Sequence, residues 1–293
     1  MPLTDAHVHL YPPEVNRDPA GWAAKAGEPH WAQLCTRRRK NDRPVQAFPG
    51  VDELLRAMDV AGVGRAVLLG WYWERAETCA LQNRFYADCV RAHPDRLLAF
   101  ATVQPADGRH ALDELRRARE EGLVGLGELS PHSQGYACDD AGFRAVLAQV
   151  TEFGWPVNLH VTDPQSRAYP GRVETPLADF IKLARGFPQT SFILAHWGGL
   201  LPLVTTGEIP PNIYYDTAAS PLLYRQDIWK KFCATVPADR VLFGSDYPLN
   251  VYPGIDPEPN FTRLVAEVHR SELDAAALRA IVASNARRLL RLP

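Results

Sequence analysis

Eight times along this 293-residue chain a short apolar run recurs, usually after a segment with helical spacing. The runs are "LTDAHVHL", "GRAVLLG", "LLAFATV", "LVGLGEL", "PVNLHV", "SFILAHWGG", "NIYYDTA" and "RVLFGSDYP". Between the first two, "GVDELLRAMDVAG" sets Leu54, Leu55 and Met58 on one helical face. Strands apolar on both faces and separated by helices pair in parallel through crossovers. Eight such units closing on themselves predict an α/β fold of the (β/α)8 TIM-barrel type, a single domain over residues 1–293. An open, doubly wound sheet is the rival architecture, but no GxGxxG follows the first run. Residues 11–50, rich in Pro, Trp and charge, are too long for a simple connector. They are expected to form a long loop insertion lying over the barrel mouth as a lid.

Barrel chemistry sits at the C-terminal ends of the strands. Six of the runs end in polar residues: His7 and His9, Glu128, His160, His196, Asp216 and Asp246. In "DAHVHL" the two histidines stand two apart, so they share one face of a strand. Burying this many polar groups without compensation is costly, and a divalent cation bound by imidazole and carboxylate removes the cost. Asp246 reads as a ligand or as a cap on its loop, and His160 as a ligand or a satisfied core histidine. His196 is divided between ligand and proton shuttle. Glu128 would bridge metals, bond a ligand or pair with an arginine, and Asp216 reads as supporting structure. The remaining histidines default to the surface, except that His132, four residues past Glu128, could reach the mouth.

A net charge of −2 gives no case for nucleic acid or an anionic membrane as partner. The one dense basic run, "TRRRK" at 36–40, reads as a solvated loop rather than a carboxylate clamp. Five scattered cysteines without a CxxC pair fit a reducing compartment, and the absence of a long apolar run fits a cytoplasmic protein. After the second run, "GWYWER" sets Trp71, Tyr72, Trp73 and Arg75 near the mouth, for substrate contact or for packing beneath the long loop. Aromatic walls with Arg39, Arg75, Arg167 and Arg172 would suit a small carboxylated, lactone or sugar-acid substrate. A homodimer is the default expectation for assembly.

Taken in order, "DAHVHL", "HV", "AHWGG" and "LFGSDYP", with the closing "SNARRLLRL", resemble the amidohydrolase superfamily. The branch most resembled is the amidohydrolase-related family of metal-dependent TIM-barrel hydrolases and decarboxylases, over essentially the whole chain. The resemblance implies that His7, His9, His160 and Asp246 hold a divalent metal, most often zinc, and that His196 orients or deprotonates its water. In binuclear relatives the fourth-strand position held here by Glu128 bridges two metals, so one or two ions are implied. Trp197 stands where a small or aliphatic residue is expected, and is therefore assigned to the substrate pocket. The leading expectation is a hydrolase that cleaves a lactone, ester or amide, with Asp246 taking the proton from water and His196 assisting the tetrahedral intermediate. Non-oxidative decarboxylation is the alternative. It is placed second because decarboxylating relatives often carry glutamate where this chain has His7. An inactive metal- or ligand-binding barrel comes last, since the set of strand-end residues is complete.

Overall fold

A computed structural model describes residues 2–291, so Met1, Leu292 and Pro293, at the two ends of the expected domain, lie outside it. Its eight strands are β1 (Leu3–Val8), β2 (Val63–Leu68), β3 (Leu97–Ala99), β4 (Leu126–Leu129), β5 (Val157–Leu159), β6 (Phe192–Leu194), β7 (Ile213–Asp216) and β8 (Val241–Leu242). Seven fall within the apolar runs and β2 begins one residue before its run, at Val63; all pair in parallel in the sequential orders β1-β2-β3 and β4-β5-β6-β7-β8. Backbone bonds join the two groups into a ring. On one side the Ala101 N–H donates to Gly125 O and the Gly127 N–H to Ala101 O. On the other, the N–H of Ala6 donates to Phe243 O and that of Asp246 to His7 O. The barrel is thus closed, and strand 1 lies beside strand 8 as a TIM barrel requires.

Helices cover the outside where amphipathic spacing predicts them, among them Val51–Ala61, Ala76–Ala92, Arg109–Glu120, Ala141–Phe153 and Leu177–Gly186. Several stop at a glycine in the left-handed region, such as Gly62 at φ 72° and Gly154 at φ 67°, which a residue with a Cβ would enter at a cost. The C-terminal segment is helical over Ala275–Leu289, with a wider π-type turn at Ala280–Ser284. No helix among the described residues is long and apolar enough to cross a membrane.

The insertion after β1 differs from the expected loop. It folds into three short helices, α1 (Pro13–Arg17), α2 (Pro19–Ala26) and α3 (Pro29–Cys35), each with proline in its first turn. They build a small core of their own, in which Tyr11, Val15, Trp31 and Cys35 pack against Trp71, Tyr72 and Trp73 from the β2 loop. The basic run divides. Arg38 is exposed and paired with Asp42, as a solvated loop would have it, but Arg39 turns inward and donates to Asn250 O. The insertion is also fastened to the β8 loop by Ala47 N–H to Pro248 O and Asn250 N–H to Val45 O.

A buried carboxylate latches the insertion to the β2 loop: Glu28 accepts the backbone N–H groups of Glu74 at 2.8 Å and Arg75 at 3.0 Å. Burial, outweighing those bonds, pushes its carboxyl from 4.5 up to about 7. The folded state therefore holds a proton that the unfolded chain has lost, and stability must fall as pH rises from 4.5 to about 7. The decline is on the order of 3 kcal/mol. Glu28→Gln should flatten that part of the profile in urea denaturation across this window.

Candidate metal centre

Seven polar residues meet at the C-terminal ends of six strands, and elementary hydrogen-bond logic fixes the state of several of them. His7 Nδ1 lies 2.9 Å from Asp216 Oδ2, and His9 Nδ1 lies 3.1 Å from the Leu69 carbonyl. Both partners only accept, so both Nδ1 atoms carry hydrogen and both Nε2 atoms direct a lone pair inward. Those two Nε2 atoms are 3.1 Å apart. Facing lone pairs at that separation repel unless a cation, a proton or a metal, lies between them.

When the cation is a proton, one histidine takes it. Burial would lower His7, but the carboxylates around it, Asp216 foremost with Glu128 and Asp246, together outweigh burial and lift it to about 10, while burial and the His7 charge hold His9 down to about 3. Asp246 completes this group, with Oδ1 3.8 Å from His7 Nε2 and 3.7 Å from His9 Nε2. Burial raises its carboxyl to about 8.

A second group adjoins the first. His160 Nδ1 is 2.9 Å from Glu128 Oε1 and 3.3 Å from His196 Nε2, while His196 Nδ1 faces the Ala218 carbonyl at 3.1 Å. Burial, and after it the neighbouring His160, holds His196 down to about 4. For Glu128 the burial penalty is outweighed by the histidines around it, His160 foremost with His7 and His9, and the carboxyl stays below the ordinary range. Its other oxygen reaches back to 3.6 Å from His9 Nε2 and 3.9 Å from His7 Nε2, so Glu128 touches both groups. His7, His9 and Asp246 make one set of converging donors, and Glu128, His160 and His196 another. Imidazole and carboxylate donors with inward lone pairs fit a divalent cation.

Local structure explains the aim of each side chain. Asp216 accepts from His7 Nδ1, from Asn158 Nδ2 at 3.0 Å, and from the N–H groups of His196 and Ala218. Asp5 accepts the N–H of His7 at 2.9 Å and of Ser245 at 3.0 Å, tying β1 to the β8 loop. Neither Asp5 nor Asn158 stands out in the sequence, although Asp5 shares the strand face of His7 and His9. His196 opens a left-handed turn through Leu200, with φ between 58° and 61° throughout. Glycines are needed inside it: a Cβ on Gly198 would come within 2.7 Å of the Tyr215 ring. Inside β4, Gly127, just before Glu128, has φ 125°, and a Cβ there would lie 2.3 Å from Asn158 O.

The sequence profile of the amidohydrolase family matches residues 4–292. The chain belongs to the amidohydrolase family. No curated protein matches it in sequence. Among solved structures, 2,6-dihydroxybenzoate decarboxylase from Rhizobium is 20% identical with a TM-score of 0.69, over 100% of this chain and 99% of that one. A 5-carboxyvanillate decarboxylase from Novosphingobium aromaticivorans, complexed with manganese and 4-hydroxy-3-methoxy-5-nitrobenzoic acid, is 16% identical with a TM-score of 0.76, over 99% and 96%. A probable 2-pyrone-4,6-dicarboxylic acid hydrolase from Acinetobacter baumannii, with citric acid bound, is 15% identical with a TM-score of 0.66, over 99% and 100%. These likenesses establish the amidohydrolase barrel.

The expected pocket residues of this amidohydrolase fare differently. Trp71 lies beside the centre, its ring 5.2 Å from that of His9 and stacked on Tyr72 at 4.4 Å. Tyr72 in turn is 5.0 Å from the His160 ring. The buried indole N–H of Trp71 has no acceptor among the described residues. Trp73 belongs to the core beneath the insertion, donating to Gln82 Oε1 and packing on Trp31. Arg75 is exposed beside Glu77. Trp197 is taken out of the pocket set: fully buried, it packs edge-on against Trp229 and Phe232 and donates to Ser220 Oγ. The left-handed turn carries the residue after His196 into the core, which no helical or strand periodicity would reveal. Of the other arginines, Arg167 is exposed and Arg172 is spent on Ser166, Asp163 and Glu174. Arg37, which the basic run did not single out, stands over the Tyr169 ring at 5.7 Å and its buried Nε has no hydrogen-bond partner. His30, on the third helix of the insertion, is half-buried and bonded to Gly171 O rather than a surface residue.

Proposed function

We propose that this amidohydrolase is a metal-dependent carboxy-lyase, removing carbon dioxide from a small aromatic or otherwise conjugated carboxylate. The observation that carries the reading is the stacked Trp71–Tyr72 pair, which touches a histidine of each donor group and forms a flat wall beside both. Such a wall suits a planar π-substrate more than a flexible amide. Decarboxylases of hydroxylated benzoates among the structural neighbours support the same choice, reversing the order in which the sequence ranks the two reactions.

His7, His9, His160, Asp246 and Glu128 would hold the cation, with His196 beside them. Zinc suits the histidine-rich set, and manganese is the ion in the carboxyvanillate decarboxylase structure. When bound, the cation supplies a Lewis acid that grips the carboxylate and withdraws charge from the breaking carbon–carbon bond. The chain's own residues do the rest. Trp71 and Tyr72 orient the ring, the unpaired Trp71 N–H offers one donor, and Arg37 offers its guanidinium to a second anionic group. Asp246, 4.0 Å from His196 Nδ1, forms with it the proton source that replaces the lost carboxylate on the carbon.

A second reading, lactone hydrolysis, is favoured by the paired histidines of β1 and by the pyrone hydrolase among the neighbours. One experiment separates the two. The metal-loaded enzyme is given dihydroxybenzoates, 5-carboxyvanillate and 2-pyrone-4,6-dicarboxylate in deuterium oxide. Carbon dioxide release with deuterium at the vacated ring carbon is the expected result. Opening of the pyrone without carbon dioxide release would replace the lyase with the hydrolase.

A further inference from the structure

A separate cluster lies beyond the main centre. His132 sits on the short helix Pro131–Gln134 directly after β4, and Asp179 in the first turn of Leu177–Gly186, so both lie at the active-site end of the barrel. Cys138, on the loop between them, joins them: a ring nitrogen of His132, the Cys138 thiol and an Asp179 oxygen all lie within 4.8 Å of one another. His132 Nε2 is 3.1 Å from Asp179 Oδ2, which makes Nε2 the protonated nitrogen and leaves a lone pair on Nδ1. That Nδ1 is buried without a hydrogen-bond partner among the described residues. A buried ring nitrogen with an unmatched lone pair is costly unless something electrophilic meets it.

We propose that His132, Cys138 and Asp179 form a second cation site, selective for zinc or a similarly soft divalent ion. Thiolate, imidazole and carboxylate together are a zinc donor set, and three protein ligands leave a fourth position to water. Tetrahedral zinc ligands stand roughly 3.3–3.8 Å apart, so modest side-chain rotation closes the cluster. Burial, with Asp179 and Asp139 adding to it, pushes the Cys138 thiol up to about 12. Binding therefore breaks the S–H bond, forms a sulfur–metal bond and releases one proton to solvent, with no change of oxidation state. The competing cation is Lys182, 3.6 Å from Asp179 Oδ1 and 76% exposed, which water can solvate once the metal enters. The bound ion would pin the loop after β4 to the helix after β5, bracing the rim on the Glu128–His160 side.

Cobalt(II) tests this without reference to turnover. The six donors of the main centre contain no sulfur, so a sulfur-to-cobalt charge-transfer band in the near ultraviolet reports thiolate ligation. The full-length wild-type protein should show that band, and Cys138→Ser and His132→Gln should each lose or sharply weaken it. By elemental mass spectrometry of the zinc-loaded proteins, Cys138→Ser should carry about one zinc fewer per chain than wild type. No band, a band of full strength in Cys138→Ser, or equal zinc content in both proteins would overturn the site.

Discussion

In the Asp246→Asn variant, turnover is expected to fall at least about 10³-fold while the barrel stays folded. The choice of asparagine matters, because Asp246 sits at φ 67° in the left-handed region. Asparagine tolerates that conformation better than most residues, so the turn after β8 survives. The backbone bonds that hold the position, Asp246 N–H to His7 O and Leu249 N–H to Asp246 O, do not involve the changed atoms. Burial lifts the native carboxyl to about 8, so folding near neutral pH must place a proton on a group that is ionised in the unfolded chain, a cost that a neutral amide does not carry. Thermal unfolding of the metal-free variant should therefore occur at or above the wild-type temperature. A structural lesion would lower the melting temperature along with activity; loss of the proposed ligand and proton source would lower activity alone. Retention of wild-type turnover would remove Asp246 from the chemistry.

The barrel was legible because each strand is buried on both faces and so reads as an uninterrupted apolar run, punctuated by the polar residue that leaves it at the top. His7, His9, Glu128, His160, His196 and Asp246 are all singled out by that one rule, and the structure gathers them into two adjoining groups of three. What the sequence concealed is of three kinds. Asp5 and Asn158 act through hydrogen bonds to ligands or their supports, and a lone polar residue inside a strand does not announce its partner. The insertion hid its helices because they run only five to eight residues. No amphipathic period can establish itself over that length, although proline in each first turn was a usable mark. Trp197 shows a third limit, since five successive residues with positive φ reverse the side a sequence reader would assign.

Removal of the divalent cation is expected to abolish turnover and lower stability together, and the reason lies in the 3.1 Å approach of His7 Nε2 to His9 Nε2. With Asp216 and Leu69 O holding the two Nδ1 hydrogens, a metal and a proton compete for the same pair of lone pairs. Since His7 holds its proton up to about 10, each metal entering near neutral pH must displace at least one proton. Apparent metal affinity should then rise at least about tenfold per pH unit between pH 6 and 8, and more steeply where Asp246 must also give up its proton, measured by competition with a chelating dye. A cation that binds only the folded chain adds about 4 kcal/mol at a free concentration a thousand times its Kd. For a chain of this length that is a rise of roughly 7 °C in Tm. Chelator-treated protein should lose both activity and that increment, and recover both on adding zinc or manganese. Asp216→Asn supplies the control for mechanism. The Nδ1 hydrogen of His7 would lose its anionic partner, the grip on the proton would weaken, and the pH dependence of metal binding should shift toward lower pH. A metal affinity that does not change with pH would mean that these two lone pairs are not where the cation binds.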